Sequence, residues 1–329
     1  MTRRTRLGAV GLASLALLPV GLFVGSVGLE PGEVVRVLTG GGSATHRDLV
    51  LGFRLPRLLL ASILGGGLAL AGATFQALLR NPLAEPYILG VSGGAAVGAV
   101  IVLALGLTTL ASWTLPLAAF AGALLAIAVV FRVATAAGRA LDVRVLLLAG
   151  VVTGAFFSAV ISFILAVSDA RTVRSAVLWM MGSTAGADWQ TVAVAAAYTL
   201  PTALVLIGLA RPLNTLAVGE ETALYLGTDV ERVKRIAFAA ASLVTAAGVA
   251  VAGVIGFVGL VVPHALRLVV GSDLRILLPL CFLVGAAFLT TADTLARVLL
   301  SPTEIPIGVV TAFVGVPIFL VLLRRSTFR

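Results

Sequence analysis

Leu58-Leu-Leu-Ala-Ser-Ile-Leu-Gly-Gly-Gly-Leu-Ala-Leu-Ala-Gly-Ala-Thr-Phe-Gln-Ala-Leu-Leu79 carries no charged side chain and stops at Arg80. An α-helix rises about 1.5 Å per residue, so about 20 such residues cross a hydrocarbon layer about 30 Å thick while bonding every backbone group internally. This stretch is long enough to do so. Apolar runs of similar length lie at 7–29, 87–107, 113–131, 145–167, 189–209, 236–253, 276–296 and 306–323, the one at 276–296 with Asp293 near its end. Of the 329 residues 60% are hydrophobic and 11% charged, which leaves too few polar side chains to coat a water-facing surface. The first run follows Arg3, Arg4 and Arg6 and outlasts the apolar core of a signal peptide, so it reads as a retained span.

The stretch from Gly256 to Val270 is apolar but short, and it contains Pro263-His264. Basic residues, kept preferentially on the cytoplasmic side, decide whether it counts. With ten spans and both termini inside, only Arg36, Arg47, Arg54, Arg57, Arg171, Arg174 and Arg297 of the 23 basic residues lie outside. With nine, the tail Arg324-Arg325-Ser-Thr-Phe-Arg329 would face outward. The sequence therefore predicts an all-α polytopic membrane protein of ten transmembrane helices, a single transmembrane domain over 1–329 with cytoplasmic N- and C-termini. The tenth crossing is short and ends near His264. Acidic residues divide evenly between the two sides, so the net charge of +9 is cytoplasmic. Topology explains the basic residues, and nucleic acid is not an expected partner. Cys281 stands alone, which excludes a disulfide within the chain.

Lipid provides no hydrophobic drive between helices, so small residues must let them approach. Gly90, Gly94 and Gly98 repeat along one face of the third span, and Gly65 and Ala69 share a face of the second. Gly253, Gly256 and Gly259 bring flexible backbone to a span boundary, read either as a cavity-lining break or as a tight turn. Pro82 and Pro86, and separately Pro263-His264, read as ordered interfacial turns, because proline lacks the helical donor. The loop from Arg211 to Arg235 is too polar to cross. Leu213, Leu216 and Ala217, then Ala223, Leu224 and Leu226, predict two short helices joined at Gly219. Such an arm, at 213–227, carries Glu220 and Glu221 toward a protein partner.

No GxxxxGK[ST] loop occurs, so the chain is not expected to hydrolyse nucleotide. His46 and His264 fall on opposite sides in this topology, which argues against a shared metal site. Asp293 and Glu304 read as loop or docking residues. The spans are nearly free of the charged groups that ion-coupled transport places near mid-membrane. That points to energy delivered by an external motor, while a secondary transporter, also rich in broken helices and glycine, and a non-transporting membrane scaffold stay open on the residues alone.

Several motifs fall together: Arg54-Leu-Pro-Arg57; Gly72 through Gln76 with Arg80-Asn81-Pro82-Leu-Ala-Glu-Pro86 and Leu89-Gly90-Val-Ser-Gly-Gly94; Trp179-Met-Met-Gly-Ser183. Further along come Gly219-Glu220-Glu221-Thr222-Ala223 with Leu226-Gly227, Gly256-Phe-Val-Gly259-Leu-Val-Val-Pro263-His264 with Arg267, Leu278-Pro279 with Gly285-Ala286, and Glu304-Ile-Pro306-Ile-Gly308 with Gly315-Val-Pro317. In combination the sequence resembles the permease subunits of bacterial ABC importers for iron–siderophore complexes, haem and vitamin B12, the FecCD type. The resemblance implies a multi-pass, non-catalytic inner-membrane permease that binds no cofactor itself. It implies pairing with a second permease copy and two cytoplasmic ATPase subunits holding ATP-Mg. A periplasmic or lipid-anchored substrate-binding protein would deliver cargo. Leu216, Gly219, Glu220, Glu221, Thr222, Ala223, Leu226 and Gly227 would then form the coupling arm. Arg54, Arg57 and Arg297 would resemble docking arginines for carboxylates on the binding protein. Iron–siderophore is the expected cargo, as the broadest class in the resemblance, with haem or vitamin B12 as the alternative. One departure is Leu274, which stands where the family commonly has the histidine of Asp-His-Arg.

Overall fold

The computed structural model describes residues 3–136 and 141–327; Arg139 and Arg329, both assigned to the inner side, lie outside them. Those residues form α-helices and helical turns, and no strand occurs among them. Helix α1 (Arg3–Leu17) breaks at Pro19 and resumes as α2 (Val20–Phe23). Short helices α3 (Pro31–Leu38) and α4 (Ala44–Arg47) follow, and a π-helical turn at Asp48–Arg54 leads into α5 (Leu55–Leu78). The first loop of the sequence reading is thus largely helical. Then come α6 (Val91–Ala104), α7 (Thr114–Thr135), α8 (Val143–Ala166), α9 (Ala170–Met180) and α10 (Trp189–Gly208). Next are the short α11 (Ala210–Val218) and α12 (Glu220–Tyr225), followed by α13 (Val230–Ala252), α14 (Val258–Val270), α15 (Leu274–Val298) and α16 (Ile307–Thr327).

Among the described residues, seven helical segments are long and apolar enough to cross a membrane, and Val91–Ala104, Val258–Val270 and Ile307–Val321 are shorter apolar helices. Together they occupy the same ten regions as the apolar runs. The protein is an all-α polytopic membrane protein with seven to ten candidate spans. Aspartates start several of these helices: Asp142, Asp169, Asp188, Asp229 and Asp273 accept backbone N–H bonds in the first turns of α8, α9, α10, α13 and α15. Backbone N–H groups hold the Asp142 and Asp169 carboxyls below the usual range, the latter with help from the Thr172 hydroxyl, and the Thr191 hydroxyl and then its N–H do the same for Asp188.

Helix α5 lies at the centre, packed against α10, α13, α14 and α15. Its neighbours come close because it lacks side chains where they touch. A β-carbon on Gly65 would collide with the Gly285 backbone of α15, and one on Gly72 with the Gly259 backbone of α14. Gly94 and Gly98 of α6 make the same approach to Gly122 and Ala118 of α7. Gly90 departs from that expected ridge. It is the left-handed residue preceding α6, with φ 75°, and it faces α8 near Gly150. At the perimeter, Leu148, Val151, Val152, Phe156 and Phe163 leave one flank of α8 exposed and apolar, as a lipid-facing helix requires.

The expected turn at Pro263-His264 is absent. Pro263 lies inside α14, which continues past His264 to Val270. A proline at this position leaves the Gly259 carbonyl without its helical donor, and Gln76 of α5 supplies one through Nε2 at 3.1 Å. The helix therefore needs no break.

Candidate functional site

The N-terminal end of α5 brings the three predicted docking arginines into one charged cluster. Asp293 of α15, 1% exposed, accepts from Arg57 Nε at 3.0 Å and from Thr184, and pairs with Arg297 Nε at 3.2 Å. Arg57 also grips Glu304 at 2.9 Å. Arg54 is buried and donates to the carbonyls of Leu22, at 2.7 Å, and Val27. Asp293 and Glu304, read separately as loop or docking residues, are the internal counter-ions of these arginines. Glu304 is the exposed carboxylate of the cluster, 37% accessible, beside a cavity of about 240 Å³ lined by Arg54, Arg57 and Arg297.

Deeper in the molecule three helix interruptions meet. Ser183 N–H donates to the Ala252 carbonyl at 2.7 Å; Ile307 and Gly308 N–H groups donate to the Gly182 and Met181 carbonyls at 3.1 and 3.0 Å. The segment 253–257 contains Phe257 at φ 69°, a left-handed conformation unusual for a bulky side chain. Two side chains from the loop after α5 hold it: Glu85 accepts from the Phe257 N–H at 2.7 Å, and Tyr87 from the Ile255 N–H at 3.2 Å. Burial pushes the Glu85 carboxyl up, against the pull of the Phe257 N–H. Of the two sequence readings of Gly253, Gly256 and Gly259, the cavity-lining break describes Gly256; Gly253 ends α13 against the Trp179 carbonyl, and Gly259 lies inside α14 against α5. Met180, Met181, Val254, Phe257, Phe313 and Val316 line an open, largely apolar concavity of about 610 Å³, with Phe313 exposed at its edge. Pro306 and Gly308 start α16 on its wall, where a β-carbon on Gly308 would strike the Met181 carbonyl.

At the C-terminal end of α5 the amide of Gln76 joins two helices: Nε2 donates to Gly259, and Oε1 accepts from Arg267 of α14. Arg80 then adopts φ 48°, and Asn81 Oδ1 accepts from the Leu83 N–H at 2.9 Å, so Arg80-Asn81-Pro82 forms an ordered turn. Pro86 packs buried against Gly259. His264 is buried edge-on to Phe319, and its Nε2 has no hydrogen-bond partner.

Helices α11 and α12 meet at Gly219, as the spacing predicts. Leu213, Leu216 and Ala223 are buried toward the helix bundle, while Val218, Glu221, Thr222, Leu224, Leu226 and Gly227 are exposed and Tyr225 is 93% accessible. Glu220 points inward to Lys234 of α13 at 3.1 Å. The base of the arm is fixed by Asn214, which donates to Asp273 at 2.8 Å and accepts from the Leu274 N–H at 2.9 Å. Bonds from Arg275 and then Asn214 hold the Asp273 carboxyl far below the usual range. Leu274, at the departure from the family pattern, is buried and contributes a backbone donor.

Among the described residues no group of three or more His, Cys, Asp or Glu side chains could hold a metal ion. Broken helices around an apolar space, framed by buried charge at each end of α5, define a membrane permease. The FecCD transport family model matches residues 12–325. The cobalamin import system permease protein BtuC of Halobacterium salinarum is 47% identical over 285 residues, 87% of this chain and 76% of that protein. The hemin transport system permease protein HmuU of Yersinia pestis is 43% identical over 279 residues, 84% of this chain and 83% of that one. A solved inward-facing transporter assigned to the metal-chelate ABC type superposes with a TM-score of 0.87 at 31% identity, covering 97% of this chain and 98% of the other.

The chain belongs to the FecCD transport family. It is the non-catalytic permease subunit of an ABC importer of the metal-chelate type, a multi-pass protein of the inner membrane. That membership removes the secondary-transporter and scaffold readings. The family architecture joins such a permease to ATPase and substrate-binding subunits.

Proposed function

We propose that the cargo is a metal-bound tetrapyrrole, vitamin B12 as the first reading and haem as the second. The carrying observation is the 47% identity to a cobalamin permease, with a hemin permease at 43%. The iron–siderophore expectation had only the breadth of that class behind it, and the similarities favour its alternative. A roomy apolar wall suits a large plate-like chelate better than a tight ring of charge would. Uptake into proteoliposomes containing the permease, its ATPases and its binding protein should follow cyanocobalamin or haemin. Transport of a ferric siderophore alone would overturn the reading.

In this account the single domain of residues 1–329 crosses ten times with both termini cytoplasmic and works as two copies around one pathway. Two ATPases bind the arms at 213–227. The exposed Val218, Leu224, Tyr225 and Leu226 form the knob that seats in each ATPase, with Glu221 and Thr222 beside it. ATP binding draws the ATPases together, and their differential affinity for the two conformations changes which side is open. The binding protein docks at the opposite end, over Arg54, Arg57 and Arg297. Arg57 already holds Glu304, so a docking carboxylate would exchange with Glu304 to reach it. Deleting 213–227 should abolish ATP-coupled uptake, and terminal tags should be labelled only after cells are opened.

A further inference from the structure

The 23 basic residues include a single lysine, Lys234, and its side chain is 2% exposed. Nζ donates to the Leu141 carbonyl at 2.8 Å and pairs with Glu220 of the arm at 3.1 Å and Glu231 of its own helix at 2.6 Å. The other oxygen of Glu231 accepts from the Leu141 N–H at 2.8 Å, so the residue entering α8 is held by both backbone groups. The second oxygen of Glu220 faces Arg80, at the end of α5, at 3.8 Å. One ammonium thus joins α12, α13 and the start of α8, with α5 attached through Glu220. A compact cation with rotatable donors suits acceptors converging from several directions better than the planar fork of arginine, which the chain uses at every other basic position.

We propose that Lys234 is the positioning residue through which displacement of the arm reaches the pathway. The inference rests on the reading of the arm as the ATPase seat. A charge in a low-dielectric interior cannot be left unpaired cheaply, so when α12 moves, Lys234 carries the entrance of α8 with it. It carries α13 as well, and α13 ends at Ala252, directly before the Gly253–Phe257 segment on the wall of the apolar space. The sequence reading assigned Glu220 to the ATPase joint; this geometry assigns it to the inward half of the linkage.

The test measures cargo moved per ATP hydrolysed in proteoliposomes containing the complete transporter. Lys234→Met should lower that ratio about tenfold, within the usual range of coupling between sites, while the ATPases still co-purify with the permease. A merely structural role would reduce stability and both activities in parallel, leaving the ratio unchanged. A wild-type ratio in folded Lys234→Met overturns the proposal. If Lys234→Met does not assemble, Glu220→Gln decides. It loosens the arm's half of the linkage and leaves Lys234 bonded to Glu231 and Leu141. A lower ratio at unchanged melting temperature supports the proposal, and an unchanged ratio refutes it. Tyr225→Asp separates the two readings: ATPases that remain bound to it refute the seat, whatever Lys234 does.

Discussion

Asp293→Asn is the perturbation whose cost follows most directly from the structure. The carboxylate is almost wholly buried, and both arginines that flank it approach within 3.2 Å. Neutralising it affects them unequally. Arg57 keeps its bond to Glu304 at 2.9 Å. Arg297 keeps only neutral oxygens: the amide oxygen that replaces the carboxylate and, at longer range, Gly21 and Thr294 at 3.3 Å and the residue-293 carbonyl at 3.4 Å. Stranding one buried charge in this way costs about 3 kcal/mol.

Unfolding by SDS in mixed micelles, followed by the fluorescence of the three tryptophans, measures that loss. Adding Arg297→Met removes the stranded charge, so the double variant should recover at least about half of it. Glu304→Gln, at an exposed carboxylate, is the control and should cost about 0.5 kcal/mol. The reasoning fails if Asp293→Asn lies within about 1 kcal/mol of the parent, or if the two substitutions add instead of offsetting.

Gln76→Leu should cost about 2 kcal/mol by orphaning the Gly259 carbonyl and Arg267, and less in a Pro263→Ala background, where the restored N–H serves that carbonyl; the same SDS titration measures both. Gly72→Ala drives a β-carbon into the Gly259 backbone and should lower stability by about 2 kcal/mol, read as an earlier SDS midpoint. Asp273 has a depressed carboxyl in the folded state, so its contribution is present above the ordinary value near about pH 4 and is lost as pH falls through the folded value. Asp273→Asn should accordingly be less stable than the parent at pH 7, with the gap narrowing below about pH 4.

Most of the membrane architecture was legible because one local property, a long apolar run, marks a span; the short stretch at 256–270 needed the distribution of basic residues to be counted. The arm was legible for a similar reason, since Gly219 punctuates two apolar stripes within a polar loop. Helix α9 was not anticipated, although Asp169 followed by Val173, Ala176, Val177 and Met180 holds its cap and its inward spacing. Its amphipathic pattern is hidden beside longer apolar neighbours. Other features have no local signature. Pro263 reads as a turn unless a donor 183 residues away is known to satisfy Gly259, and Arg57 reads as a free docking cation unless Asp293, 236 residues on, is known to meet it. Partner choice over such separations is settled by packing.

Helix α5 decides where movement can occur. Its 24 residues rise about 36 Å, and both ends are tied by polar bonds, to Asp293 and Glu304 at one end and to α14 and Glu220 at the other. Between those ends, Gly65 and Gly72 let α15 and α14 lie backbone against backbone. Contacts this close leave no room for sliding by fractions of a turn, because packed interfaces exchange between discrete arrangements and do not deform continuously. Helices α5, α14 and α15 must therefore travel together. In the proposed change of the side that is open, the compliance would fall to the joints at 181–183, 253–257 and 305–308, where helices end and their backbones are bonded across elements. Phe257 sits at the middle joint in a conformation its side chain disfavours, held by Glu85 from a loop that α5 itself carries. Glu85 and the start of α14, which Phe257 caps, both belong to the α5 group, so a rotation of that group would keep the bond to Phe257 and place the change of backbone angle on the α13 side of the joint, between Gly253 and Gly256.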